Sequence, residues 1–137
     1  FMNIQDLQTI FQDKINVKII LVNNNGYLAI RHTQKEFLKA KYFGTHPKYN
    51  LTMPDYKKVS KAFNIKYLKI LKEKDTDKTI KKLIKIKGPV ICELITLEDQ
   101  PSLFKQGYKR NSNGFFEPQP LSEMFPFISE PIANTNN

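Results

Sequence analysis

Asn23-Asn24-Asn25-Gly26-Tyr27 is the segment whose residue types are best suited to holding a charged ligand. It follows the apolar run Val-Lys-Ile-Ile-Leu-Val at residues 17–22, so it stands where a strand ends and the chain must turn. A neutral carboxamide oxygen together with a backbone carbonyl suits a hard cation such as magnesium, which takes oxygen ligands and keeps diphosphate oxygens in its shell. Gly26 lets the backbone turn sharply enough to aim its carbonyl inward. The first amides of a following helix can meet phosphate oxygens. Three asparagines and a glycine also form an ordinary turn. Residue types alone therefore leave a ligand role and a plain turn both open.

Other reactive side chains are sparse. His32 and His46 are too isolated in sequence to be read as metal ligands or a catalytic pair, and no cysteine or carboxylate cluster accompanies them. His32 reads as a helix-surface residue near a pocket rim. Cys92 lies inside the apolar run at 89–95 and reads as a small core residue. Glu93, in the same run, is a carboxylate that needs a partner if it is buried, at a sheet edge or on a lysine. Phe104, Phe115, Phe116, Phe125 and Phe127 are apolar anchors for the C-terminal segment.

The elements that must position these groups alternate along the chain. Residues 3–13 repeat Ile4, Leu7, Ile10 and Phe11 at helical spacing behind an Asn3…Asp6 capping pattern. The run at 17–22 has the character of a strand covered on both faces. Helix is expected again over 27–40, then a loop with Gly44 and Pro47. A helix capped by Thr52 runs to about Phe63, and a strand occupies 65–71. A lysine-rich helix starts at Asp75 or Thr76 and ends at Lys87-Gly88, before a strand at 89–95. Helices alternating with buried strands predict a parallel α/β sheet with helices on both faces and right-handed crossovers. Ligands of such sheets bind beyond the carboxyl ends of the strands, where the Asn23–Tyr27 segment falls.

Beyond Thr96 the pattern changes. Pro118, Pro120, Pro126 and Pro131 crowd the end of the chain. One or two helical turns are expected over 121–125 and an extended tail elsewhere, frayed over 133–137. The expected division is a domain at 1–96 and a tail at 97–137 that packs on that domain or on a neighbouring subunit.

At 137 residues the chain suffices for one domain with a real core. No apolar run is long enough to span a bilayer, and no signal peptide is visible. A single cysteine excludes a disulfide framework and makes a reducing, cytoplasmic setting the default. The net charge of +9 raises the question of nucleic acid, but Arg31 and Arg110 are the only arginines. Base-edge and bidentate phosphate recognition favour the guanidinium fork. In Lys78-Thr79-Ile80-Lys81-Lys82-Leu83-Ile84-Lys85 the lysines fill the outside of a helix whose apolar residues keep helical spacing. A solvated face is favoured over a nucleic-acid surface.

Met2-Asn3-Ile4-Gln5-Asp6-Leu7-Gln8-Thr9 followed by Val17-Lys18-Ile19-Ile20-Leu21-Val22-Asn23-Asn24 resembles the acetolactate synthase and 2-oxo acid decarboxylase group of thiamine diphosphate enzymes. The signature of that group is a Gly-Asp-Gly after a strand, an amphipathic helix, another strand and a closing Asn-Asn. The resemblance continues through Asn25-Gly26-Tyr27-Leu28-Ala29-Ile30-Arg31 and the strand entry Gly88-Pro89-Val90-Ile91. It extends to the tail, with Pro120-Leu121-Ser122-Glu123-Met124 and Pro126. It is strongest over 2–31 and weak over 42–53 and 97–117.

The resemblance implies a thiamine-diphosphate-binding domain, incomplete at its N-terminus because the Gly-Asp-Gly and its magnesium-ligating aspartate would precede Phe1. It makes Asn24 a Mg²⁺ ligand through its side-chain oxygen and Gly26 one through its carbonyl. Tyr27 would lie against the diphosphate with its amide near the phosphates. Leu28 and Ile30 would line the middle of the cofactor and the substrate pocket, Asn25 would make a weak cofactor contact, and Asn23 would hold the turn. No catalytic residue is expected here, since the family's activating glutamate comes from the pyrimidine-binding domain of a neighbouring subunit. The whole enzyme, a homodimer or tetramer, would decarboxylate a 2-oxo acid such as pyruvate and ligate the product, as acetolactate synthase does. Some relatives also carry a flavin. A simple 2-oxo acid decarboxylase and a basic, non-enzymatic polyanion-binding domain are the alternatives.

Overall fold

A computed structural model of the chain describes residues 3–100 and 105–125. They fall in two units, one ending at Gln100 and the other beginning at Pro101.

The first unit runs α1 (Asp6–Gln12), β1 (Lys18–Asn23), α2 (Leu28–Phe37), α3 (Tyr56–Ala62), β2 (Lys66–Ile70), α4 (Thr76–Lys85) and β3 (Val90–Ile95). The strands form a parallel sheet in the order β1-β3-β2. Ile20, Cys92 and Leu68 stand in register, as do Val22, Leu94 and Ile70. Side chains in register on parallel neighbours share a face, so these six lie on one side of the sheet. Asn23, Glu93, Tyr67 and Lys69 lie on the other.

The central strand is the most buried, with Val90 and Cys92 at 0% exposure. Cover on both faces, the expectation for the run at 17–22, falls on this strand instead. Leu83 of α4, flanked by Ile80 and Ile86, packs on Ile70, Val90 and Cys92. Each such buried aliphatic side chain contributes roughly 1.5–3 kcal/mol. Tyr56 of α3 is buried and close enough to Glu93 to feel its charge, which sets α3 on the opposite face. The expected parallel α/β sheet with helices on both faces is therefore what the chain forms. Lys78, Lys81, Lys82 and Lys85 are all exposed, so the lysines of α4 make the solvated face its spacing implied. Cys92 is a core residue, and burial pushes its thiol pKa up.

Several local expectations are corrected. α1 begins at Asp6 after a turn, and Gln5 precedes it without a side-chain cap, so the Asn3 capping box does not form. α2 stops at Phe37, where Lys39 and Ala40 take positive φ. Asp55, not Thr52, caps α3, its carboxylate accepting from the amide of Lys58 at 3.0 Å. β1 is covered on one face only: Ile20 and Val22 are 45% and 63% exposed. β1 is an edge strand, and α4 covers its neighbours instead.

The second unit is not a plain extended tail. β4 (Lys105–Gln106) pairs antiparallel with β7 (Met124–Phe125), and β5 (Tyr108–Arg110) with β6 (Phe116–Pro118). The 121–125 segment forms a turn and a strand, not a helix. The inner hairpin closes where Asn111 Oδ1 accepts from the amides of Asn113 and Phe115 at 3.0 and 2.9 Å. Phe104, Phe127, Pro126 and the frayed segment expected over 133–137 lie outside the described residues.

Candidate functional site

β1 ends at Asn23, and the next three residues turn across the carboxyl end of the sheet. Asn23 shapes that turn from its own side chain, because its Oδ1 accepts from the amide of Asn25 at 2.8 Å. Asn25 sits at φ +58, a conformation asparagine tolerates better than most residues. Gly26 follows at φ +154 and passes close against the backbone of Thr45. The amide of Tyr27 donates to the carbonyl of Thr45 at 3.0 Å, fastening the start of α2 to the 44–50 loop.

The candidate residues divide by what already holds them. The Asn23 carboxamide is engaged with Asn25 and Glu93, and that of Asn25 with Glu98. No hydrogen bond joins the Asn24 carboxamide or the Gly26 carbonyl to any described residue. These are two hard, neutral oxygen donors two residues apart, the kind that suits Mg²⁺. The amides of Leu28, Ala29 and Ile30 open α2 and have no acceptor within it. Tyr27 and Ile30 are 51% and 50% exposed beside the turn, and Leu28 is half-buried. The Tyr27 amide is committed to Thr45, so any anion at this end meets the next amides instead.

Arg31 carries no signal of a site residue in the sequence, yet it ties the site together. Arg31 is 8% exposed, and its guanidinium donates to three carbonyls, those of Thr45 at 3.1 Å, Asn24 at 3.5 Å and Glu98. It thereby joins the turn, the 44–50 loop and the segment after β3. Nothing local distinguishes an arginine that meets carbonyls from one exposed on a helix.

His46 is likewise not isolated. Its Nδ1 accepts from the amide of Lys48 at 3.1 Å, so the ring carries its proton on Nε2, which reaches Glu98 Oε2 at 3.0 Å. Asn25 Nδ2 donates to the other carboxylate oxygen at 2.7 Å. These two donors, Asn25 first, hold the Glu98 carboxyl below its usual range. Both nitrogens of His46 are thus occupied, which makes the ring a brace for Asn25 and leaves it no free nitrogen for acid–base work. The carboxylate comes from a residue remote in sequence, which is why sequence spacing gave His46 no partner. His32 pairs with Asp99 at 3.2 Å. Both pairs border an open cleft of about 180 Å³ between α2, the 42–49 loop and residues 98–99. Among the described residues no group of three or more His, Cys, Asp or Glu side chains is placed to share a metal ion.

Glu93 is the one buried carboxylate of the sheet, at 3% exposure. Its Oε1 accepts from Asn23 Nδ2 at 2.6 Å, and its Oε2 accepts from the Tyr67 hydroxyl and faces Lys69 Nζ at 3.3 Å. Burial pushes its pKa up, but the bonds from Tyr67, Asn23 and Lys69 outweigh burial and hold the carboxyl below its ordinary value. The partner expected for Glu93 is therefore a lysine together with two neutral donors.

Residues 1–94 match the family model for the thiamine pyrophosphate enzyme C-terminal TPP-binding domain. The acetolactate synthase large subunit of Porphyra purpurea is 29% identical over 99 residues, 72% of this chain and 16% of that protein. The mitochondrial acetolactate synthase of Schizosaccharomyces pombe is 32% identical over 95 residues, 69% of this chain and 14% of its own length. The structure of a thiamine diphosphate-dependent 4-hydroxybenzoylformate decarboxylase from Rhodococcus jostii RHA1 superposes with a TM-score of 0.59 at 23% identity. That superposition covers 72% of this chain and 18% of the decarboxylase, and it is a likeness of fold.

Proposed function

This chain belongs to the family of thiamine pyrophosphate enzyme C-terminal TPP-binding domains, and from that premise we propose that its 23–30 segment holds the diphosphate end of thiamine diphosphate through Mg²⁺. The observation that carries the reading is the division of the turn. Asn23 commits both ends of its carboxamide and Asn25 its Nδ2 to internal bonds, while the whole Asn24 carboxamide and the Gly26 carbonyl make none to any described residue. Mg²⁺ requires near-octahedral oxygen coordination and retains phosphate oxygens, so these two donors are part of a set that other groups complete. The amides opening α2 add donors for phosphate oxygens. Tyr27, Leu28 and Ile30 supply apolar surface beside them, and Asn25 acts through the turn, braced by Glu98 and His46.

When bound, the cofactor supplies the nucleophilic carbon and the electron sink for 2-oxo acid decarboxylation. The work of this chain is to hold and orient. We assign the whole enzyme to the acetolactate-synthase-like group, a homodimer or tetramer acting on a 2-oxo acid such as pyruvate, with the activating glutamate from a neighbouring subunit's pyrimidine-binding domain. The acetolactate synthases it resembles support this, although the chain spans only 16% and 14% of the two described above. A decarboxylase without carboligation is the second reading. No helix among the described residues is long and apolar enough to cross a membrane.

The test is Asn24→Ala in the intact protein. Mg²⁺-dependent retention of thiamine diphosphate in equilibrium dialysis should fall about tenfold or more, with the far-ultraviolet circular dichroism unchanged. Retention equal to wild type would remove Asn24 from the site.

A further inference from the structure

We infer that Glu93, on the central strand and remote in sequence from the turn, is a positioning residue that sets the geometry of residues 23–26 by fixing which way the Asn23 carboxamide points. The inference rests on the cofactor reading for its consequence, but not for its geometry.

A carboxamide has one accepting and one donating end, and a turn built on Asn23 needs the accepting end. Oδ1 must face the amide of Asn25, as it does at 2.8 Å. Nδ2 must then find an acceptor, and in a half-buried position an unmet donor costs free energy. Glu93 Oε1 provides that acceptor at 2.6 Å. A carboxylate accepts at both oxygens and donates at neither, so it presents no donor to the Asn23 carboxamide and cannot favour its flipped orientation.

The carboxylate is itself prevented from turning. Its second oxygen takes the Tyr67 hydroxyl and faces the Lys69 ammonium at 3.3 Å, both from β2. Glu93 stands in register with Leu21 on one side and Lys69 on the other. All three strands thus meet at this one side chain, two residues beyond which the sheet ends. The chain of bonds runs from Lys69 and Tyr67 through Glu93 and Asn23 to the amide of Asn25. It ends on the residue between the two free oxygen donors, Asn24 and Gly26. Second-layer groups of this kind orient metal ligands without touching the metal, and their loss typically costs 10–100-fold in affinity.

The link can be tested by exchanging its two ends in the intact protein. Asn23→Asp puts a carboxylate oxygen against Glu93, so the two repel. Adding Glu93→Gln restores a donor–acceptor pair with the roles reversed, because the glutamine amide donates to the carboxylate introduced at position 23 and its carbonyl accepts from Tyr67 and Lys69. The readouts are hydrogen exchange at the Asn25 amide without cofactor, and the Mg²⁺ concentration needed to retain thiamine diphosphate in dialysis. Asn23→Asp should speed Asn25 exchange and raise the Mg²⁺ requirement by about tenfold or more, and the double variant should recover to within about threefold of wild type. Glu93→Gln alone, whose carbonyl still accepts from Asn23, should stay closer to wild type than Asn23→Asp does. A double variant no better than Asn23→Asp in both readouts overturns the inference, as does an Asn23→Asp protein with unchanged Asn25 exchange. If wild type retains no thiamine diphosphate, the cofactor reading fails and Asn25 exchange alone decides the role of Glu93 in the turn.

Discussion

A methyl group placed on Gly26 would overlap the carbonyl oxygen of Thr45, the same oxygen that accepts from Tyr27 and Arg31. The turn after β1 and the 44–50 loop are therefore packed backbone to backbone, and although Arg31 Nη1 also lies against this position, moving that side chain would not relieve the overlap with Thr45. Gly26→Ala should force them apart and also strain a φ of +154. The expected cost is about 2–4 kcal/mol of stability, measured by urea denaturation. A loss within error of zero would mean that the loop moves freely away from the turn.

Arg31 reaches three carbonyls with one planar group. An ammonium on a flexible stem cannot span that set. Arg31→Lys should therefore destabilise the fold by about 2 kcal/mol and speed exchange at the Tyr27 amide, which shares Thr45 with it. Identical exchange in the two proteins would argue that Thr45 is held by Tyr27 alone.

Glu93 and Tyr67 should bound the pH range of stability from opposite ends. Glu93 is lowered when folded, so its contribution is present above the ordinary carboxyl value of 4.5 and drains away as pH falls through the lowered one. Tyr67 is raised, by burial first and then by its bond to Glu93. Its contribution is therefore present below the ordinary phenol value of 10.0 and is lost as pH climbs through the raised one. Denaturation across pH should show part of the acid loss missing from Glu93→Gln and part of the alkaline loss missing from Tyr67→Phe. Curves parallel to wild type at both ends would contradict the assignment.

Ser60 lies in α3 at 0% exposure, and its hydroxyl has no hydrogen-bond partner among the described residues. Removing it discards an unmet polar group and substitutes a better helix former. Ser60→Ala should thus stabilise the protein by about 0.5–1 kcal/mol. A loss of stability would show that the hydroxyl has a partner.

Local pattern in the chain sufficed for the alternating elements, the parallel sheet and the polar turn after β1, because periodicity and strand-ending residues act over a few positions. The lysines of α4 were also legible, since spacing alone separates a wet face from a packed one. The helix cap at Asp55 was not, because Thr52 and Asp55 offer equivalent oxygens and only the path of the backbone selects one. Nor were the hairpins of the second unit, whose two- and three-residue strands are too short to carry a period. The residues that hold the turn lay furthest from reach. Arg31, Thr45, His46 and Glu98 meet at Asn24–Tyr27, and Glu93, Tyr67 and Lys69 meet at Asn23, across separations that no local pattern encodes. The sequence could name Asn24 and Gly26 through resemblance. Folding decided that Asn23 commits both ends of its carboxamide, Asn25 its Nδ2 and Asn24 neither end to the described residues, because that depends on acceptors delivered by other strands and loops.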